Sequence, residues 1–304
     1  MVKRALAIGL WVVGCGDAQP PADVKPAARM ERTRSGGLDD LLDLQPAQRR
    51  AFASHPDDFD PLPAPGPNDW LSVHPEAPQS VGNFWLAQPN RPGEEGRTTL
   101  YIQPLGEIPA ADALRDFASD YFTLPVVVLP TIALDGLEVR RRDNDGREQW
   151  LAPEMLAQLE RRLPEDAYAM IGLTMVDLYP GEEFNFVFGY ASTRNRTGVF
   201  SLARYGGEPR KATERTFKIL AHETGHMFGM AHCVHNACIM NGVNHREELD
   251  RSPMSLCPVC LRKLHKQTGF DPAARYESLL GHYREAGLVE AEAFAAKRLT
   301  RIAD

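Results

Sequence analysis

The stretch Ala221-His222-Glu223-Thr224-Gly225-His226-Met227-Phe228-Gly229-Met230-Ala231-His232 restricts what this chain can fold into more than any other part of it. It reads HExxHxxGxxH with every position filled. His222 and His226 stand four residues apart, so on a helix both imidazoles project from one face toward one point. The pattern therefore predicts a helix over Thr213–Phe228. Glu223 lies one step round that helix, near enough to reach a water at the same point without itself being a ligand. Gly229 marks where the helix stops and the chain turns, because glycine enters the left-handed conformation freely. The turn delivers His232 as a third ligand. Three protein ligands leave one coordination position for water, which distinguishes a catalytic zinc from a structural one. Zinc lowers the pKa of such a water toward about 7 and polarises a carbonyl. Glu223 then serves as general base, taking the proton and passing it to the leaving amine.

The cysteines predict a second metal. Cys233 and Cys238 are followed by the knuckle Cys257-Pro258-Val259-Cys260. Four thiolates at such spacing saturate a tetrahedral ion and give a closed structural zinc. Disulfides or buried free thiols remain the alternatives. Cys233 directly follows His232, so the second ion is expected to fix the backbone that presents the third ligand. The expected cofactors are two Zn2+, one catalytic and one structural.

HExxHxxGxxH followed by Cys233, Cys238-Ile239-Met240 and Cys257-Pro258-Val259-Cys260 resembles the archaemetzincins, a family of metzincin metallopeptidases. Asn68-Asp69-Trp70-Leu71, Tyr101-Ile102-Gln103-Pro104-Leu105-Gly106 and Phe184–Ala191 are similar to that family too, and the likeness is closer to its longer forms. The resemblance implies an α/β (α+β) fold. Its parts are a metzincin-like mixed five-stranded sheet, an active-site helix, a zinc-stapled C-terminal subdomain and C-terminal helices. It implies a zinc-dependent peptidase acting on a peptide or polypeptide substrate, with Met240 as the Met-turn residue beneath the catalytic zinc. It places strand Phe184–Tyr190 at the upper edge of the sheet, where a peptide can add as an extra strand. That edge is either open or covered by another part of the chain, such as the N-terminal region. Two other readings stay open beside the peptidase: a zinc hydrolase of a non-peptide amide, and an inactive metal-binding protein. Glu223 speaks against the last.

The rest of the chain fits this frame. Strands are expected over Thr99–Gln103, Val126–Leu129, Leu137–Arg140, Tyr168–Val176 and Val199–Ala203, with helices over Leu38–Phe52, Ala110–Tyr121 and Pro153–Arg162. Alternation of this kind marks an α/β domain. Asp271–Ile302 has helical periodicity and suits a hairpin packed on the domain. His235 and His245 fall outside any ligand spacing.

The N-terminus reads as an export signal. Lys3 and Arg4 precede the apolar stretch Ala5–Gly14, which ends in Val12-Val13-Gly14-Cys15, a lipobox-like sequence. The organisation expected is therefore a lipoprotein-type signal over residues 1–14, a Pro/Ala-rich tether and N-terminal segment over 15–67, and the metallopeptidase domain over 68–304. A lipid anchor on Cys15 places the protein in the bacterial cell envelope. A cytoplasmic location is the alternative, since envelope conditions oxidise thiols such as Cys257 and Cys260. The net charge of −7 argues against nucleic acid, and membrane contact is expected only through that anchor. Oligomeric state is not legible.

Overall fold

A computed structural model describes residues 44–182 and 184–303, together with the backbone of Leu10–Val13. Cys15 and the tether that follows it lie outside the described residues.

The central sheet is built around β6 (Ala167–Thr174), all of whose residues are buried. It pairs in parallel with β2 (Thr99–Leu105) on one side and β9 (Thr197–Ser201) on the other. A parallel strand covered on both faces is apolar along its whole length, as Ala-Tyr-Ala-Met-Ile-Gly-Leu is. β3 (Val126–Val128) extends the sheet in parallel beyond β2, and β8 (Gly189–Ser192) closes the other side antiparallel to β9. These five strands form the expected mixed sheet. A sixth, β1 (Leu10–Val13), runs antiparallel along β8, with Leu10 opposite Ser192 and Val13 opposite Gly189.

Helices cover both faces. Ala169, Ile171 and Leu173 of β6 join one core with α4 (Ala111–Phe122) and α6 (Pro209–Met227), where Phe117 stacks on Phe217. Met170 points the other way, into a core with Met155, Leu156 and Leu159 of α5 (Ala152–Glu160). Period-two alternation along the strand thus divides the apolar interior into two layers.

A small second sheet comprises β4 (Arg141–Asn144), β5 (Arg147–Leu151) and β7 (Asp177–Tyr179). The strand expected over Leu137–Arg140 instead begins at Arg141 and forms a hairpin with β5. Asp145 and Gly146 make its turn, both with positive φ, at 55° and 76°. The strand expected over Phe184–Tyr190 is also displaced. Arg142, Asn144 and Gln149 side chains donate to the carbonyls of Phe184 and Asn185, tying that segment to the small sheet. Regular pairing with β9 begins only at Gly189.

The C-terminal part is helical: α7 (Arg246–Arg251), α8 (Pro258–Thr268), α9 (Pro272–Glu285) and α10 (Val289–Ala303), the last two forming the expected hairpin. The N-terminal segment contributes α1 (Pro46–Phe52), α2 (Trp70–Val73) and α3 (Val81–Leu86). α1 and α10 cap each other. Arg298 donates to Arg50 O and Ala51 O at the end of α1, while Arg50 donates to Ile302 O at the end of α10. Arg298 also pairs with the buried Asp58. Burial by itself raises the Asp58 carboxyl, but Lys297 and Arg298 outweigh it and hold the group below its ordinary range.

Candidate metal centre

α6 carries the first two histidines. Its N-terminus is capped by Glu208, whose carboxylate accepts from the backbone N–H groups of Arg210 and Lys211, and Pro209 occupies the first turn. The helix runs to Met227. At Gly229 φ is +83°, and a Cβ there would lie 2.6 Å from Pro89 Cβ, so conformation and space both demand glycine. The chain then doubles back, with Met230 N donating to Gly225 O, and brings His232 to the other two histidines. As expected from the spacing, His222, His226 and His232 converge, each offering a nitrogen within 4.8 Å of the others.

What aims the rings is a hydrogen bond at each Nδ1. His222 Nδ1 donates to Ile239 O at 2.7 Å, His226 Nδ1 to Met230 O at 2.7 Å, and His232 Nδ1 to Glu76 Oε1 at 2.8 Å. An oxygen acceptor fixes the tautomer, with the proton on Nδ1 and a lone pair on Nε2. The Nε2 atoms of His222 and His226 stand 3.0 Å apart. Lone pairs converging in this way repel unless a cation lies among them. Burial also pushes His222 down to about 3 and His226 well below the usual imidazole value, which keeps both in the neutral, metal-binding form. Beside them Glu223 is fully buried, and neither carboxylate oxygen has a hydrogen-bond partner among the described residues. Three imidazoles with converging Nε2 atoms and an adjacent, uncommitted carboxylate are a donor set that fits a catalytic zinc.

Cys233, Cys238, Cys257 and Cys260 are buried free thiols, not disulfides, and their sulfurs gather within 4.8 Å of one another. Thiol donors from Cys238, then Cys257 and Cys260, hold the Cys233 group well below its ordinary range. The backbone N–H of Cys257 adds a bond to Cys238 Sγ. This cluster can hold a structural metal, and it is joined to the histidine site by more than adjacency. Cys233 N donates to Met240 O at 2.6 Å, and Asn241 links Cys233 O to Cys238 N. Met240 is fully buried against α6 between the two helical histidines. A Cβ on Gly225 would come 2.4 Å from its sulfur, so the close approach requires glycine.

Several contributors have no motif to announce them. Glu76 reaches His232 from the N-terminal segment, and Trp70 stands edge-on to the same ring with centroids 4.9 Å apart. Gln79 accepts from Ala231 N and donates to Gly229 O, clamping the turn. Asn241 likewise has no spacing signature. Asp69, His245 and Glu248 form another group of possible ligands, but their atoms are already committed. Glu248 accepts from the Trp70 and Asn244 backbones, and Asp69 pairs with Arg251 and His245. His235 and His245 therefore stay outside the histidine site, as their spacing indicates.

The burial of Glu223 has a measurable sign. Desolvation raises its carboxyl from 4.5 to about 8 in the metal-free fold. The protonated form is favoured on folding, so its contribution to stability is full below pH 4.5 and is lost as pH rises toward 8. Glu223→Gln removes that loss. At pH 8 the metal-free variant is expected to be more stable than metal-free wild type by roughly 2–4 kcal/mol, the difference vanishing near pH 4.5. Urea unfolding in excess chelator across this range checks it; equal stabilities at pH 8 would contradict the burial.

The chain is similar to known proteins. Residues 154–266 match the profile of Peptidase family M54. Archaemetzincin-2 of Pongo abelii is 33% identical, over 78% of this chain and 78% of its own length. Archaemetzincin-1 of Rattus norvegicus is 31% identical, over 69% of this chain and 51% of its own. The crystal structure of archaemetzincin from Archaeoglobus fulgidus, complexed with malonate, is 32% identical, covering 54% of this chain and 99% of that one with a TM-score of 0.47. On the identity and coverage of its sequence relatives, this chain belongs to the archaemetzincins, a family of zinc metallopeptidases.

Proposed function

We propose that this protein hydrolyses peptide bonds in peptide or polypeptide substrates, with His222, His226 and His232 as ligands of a catalytic zinc and Glu223 as general base. The observation that carries the reading is the set of three Nδ1 hydrogen bonds, which aims three Nε2 atoms at one point beside a buried, uncommitted carboxylate. Zinc at that point supplies a Lewis acid for the scissile carbonyl and lowers the pKa of a water. The protein's own part is positional. The three imidazoles stay fixed by their Nδ1 bonds, and Glu223 takes the proton of the attacking water and hands it to the leaving amine. A narrow recess lined by Phe188, Tyr205, Lys218, Ile219, Ile239, Val243 and Leu249 adjoins His222 and Glu223. Digestion of a diverse peptide library by wild type and Glu223→Ala, with product sequencing, tests the claim. The variant is expected to cleave the same bonds about 100- to 10,000-fold more slowly, and indistinguishable digests would sink it.

The second zinc belongs to Cys233, Cys238, Cys257 and Cys260, with Met240 as the Met-turn residue. Support comes from the gathered sulfurs and from the bond between Cys233 N and Met240 O. Cys257→Ser is expected to lose that ion and, through the shared loop, to weaken zinc binding at the histidines roughly 10-fold or more. Full histidine-site zinc and full turnover in this variant would defeat the coupling.

The sequence Val12-Val13-Gly14-Cys15 supports a lipid anchor at the cell envelope, with residues 15–67 leading to the peptidase unit of 68–304. β1 lies where an incoming peptide strand would add to β8, so a cut after Gly14 removes the strand that masks this edge. Cys15→Ala tests anchor and mask together in cells fed radiolabelled fatty acid. Wild type is expected to take up label and cleave peptides readily. The variant is expected to stay unlabelled, keep its leader and turn over several-fold more slowly. Equal labelling refutes the anchor, and equal turnover with the leader retained refutes the mask.

A further inference from the structure

The three imidazoles are not held alike. His222 and His226 give their Nδ1 protons to neutral backbone carbonyls, whereas His232 gives its proton to the carboxylate of Glu76. The acceptor belongs to a segment 156 residues earlier in the chain, and that segment is itself tied down. Glu76 Oε1 also receives the indole N–H of Trp70 at 3.0 Å. The Trp70 backbone N–H goes to Glu248, and its ring packs so tightly over Gly242 that a Cβ there would lie 2.2 Å away. Gln79 holds Ala231 and Gly229 on either side of the turn, and Lys263 Nζ holds Gln79 at 2.9 Å. The carboxylate is thus presented to His232 by a fixed bracket.

From this arrangement we infer that Glu76 is the positioning residue of the third metal ligand. The inference rests on the reading of the three histidines as zinc ligands. His232 needs such a residue because it follows the helix. The first two side chains project from an α-helical backbone, while the third sits on the turn that follows it. A charge-assisted bond is shorter and stronger than one to a carbonyl, and it locks the Nδ1–H tautomer. It also increases the electron density that Nε2 offers to a cation. Glu76 acts through His232 and touches neither substrate nor metal.

Zinc-loaded wild type, Glu76→Ala, Glu76→Gln and His232→Ala are titrated with a zinc chelator, and bound zinc is counted by native mass spectrometry. The ion that His232→Ala loses marks the histidine site. Glu76→Ala is expected to release that ion at chelator concentrations about 10- to 100-fold lower than wild type does, while keeping the cysteine-bound ion. Glu76→Gln retains an acceptor oxygen without the charge and is expected to recover part of the affinity. Cobalt substitution adds a signature: the visible absorption of the histidine-site ion is altered in Glu76→Ala and restored in Glu76→Gln. If Glu76→Ala releases zinc as wild type does while His232→Ala does not, the inference fails and the ligand assignment stands. If His232→Ala itself holds zinc as tightly as wild type, the ligand assignment fails. Loss of both ions from Glu76→Ala and Glu76→Gln alike would give Glu76 a role in the fold alone and overturn the proposal.

Discussion

Three hydrogen bonds from imidazole Nδ1 atoms govern the centre of this molecule. Each needs an acceptor held in place by something other than the histidine. Met230 O is set by the turn that Gly229 permits, and Ile239 O by a loop whose own amide donates to Ser255 O. Glu76 is set by the Trp70 bracket. The geometry of the centre is therefore distributed over a helix, a glycine turn, a cysteine-bearing loop and a segment near the start of the described chain. None of these alone could orient three rings toward one point.

The cysteine cluster has a physical task in this scheme. The loop from His232 to Asn241 has no helix or strand of its own, and short irregular loops hold shape poorly without a cross-link. Four gathered sulfurs, the Asn241 side chain and the bond from Cys233 N to Met240 O give it one shape. The same loop presents Ile239 O to His222 and seats Met240 against Gly225. Whatever tightens the sulfur cluster thus tightens the acceptor of the His222 ring and the seat of Met240.

Much of this was legible in the sequence, for reasons that differ from element to element. Helical periodicity put His222 and His226 on one face, and the Gly229 turn and cysteine spacing followed from local rules. β6 was legible because a strand buried on both faces is apolar throughout. The β4–β5 hairpin was missed although Asp145-Gly146 signals it, since its flanking residues are charged and lack clear alternation. The segment from Phe184 is composed like a strand, yet side chains of Arg142, Asn144 and Gln149 hold the carbonyls of Phe184 and Asn185, and backbone bonds to β7 and β9 begin only at Val187 and Phe188. Glu76 could not be found at all: a contact between residues so distant in sequence leaves no period or spacing to read.

The mutual capping of α1 and α10 bears on how the protein opens. α1 spans seven residues, too few to persist as a helix in water, and its final carbonyls depend on Arg298. The end of α10 depends in turn on Arg50. Neither terminus can fray without stripping the other of its donors. The two segments therefore behave as a single cooperative opening unit despite the chain that separates them, and their amides are governed by one local unfolding equilibrium rather than two.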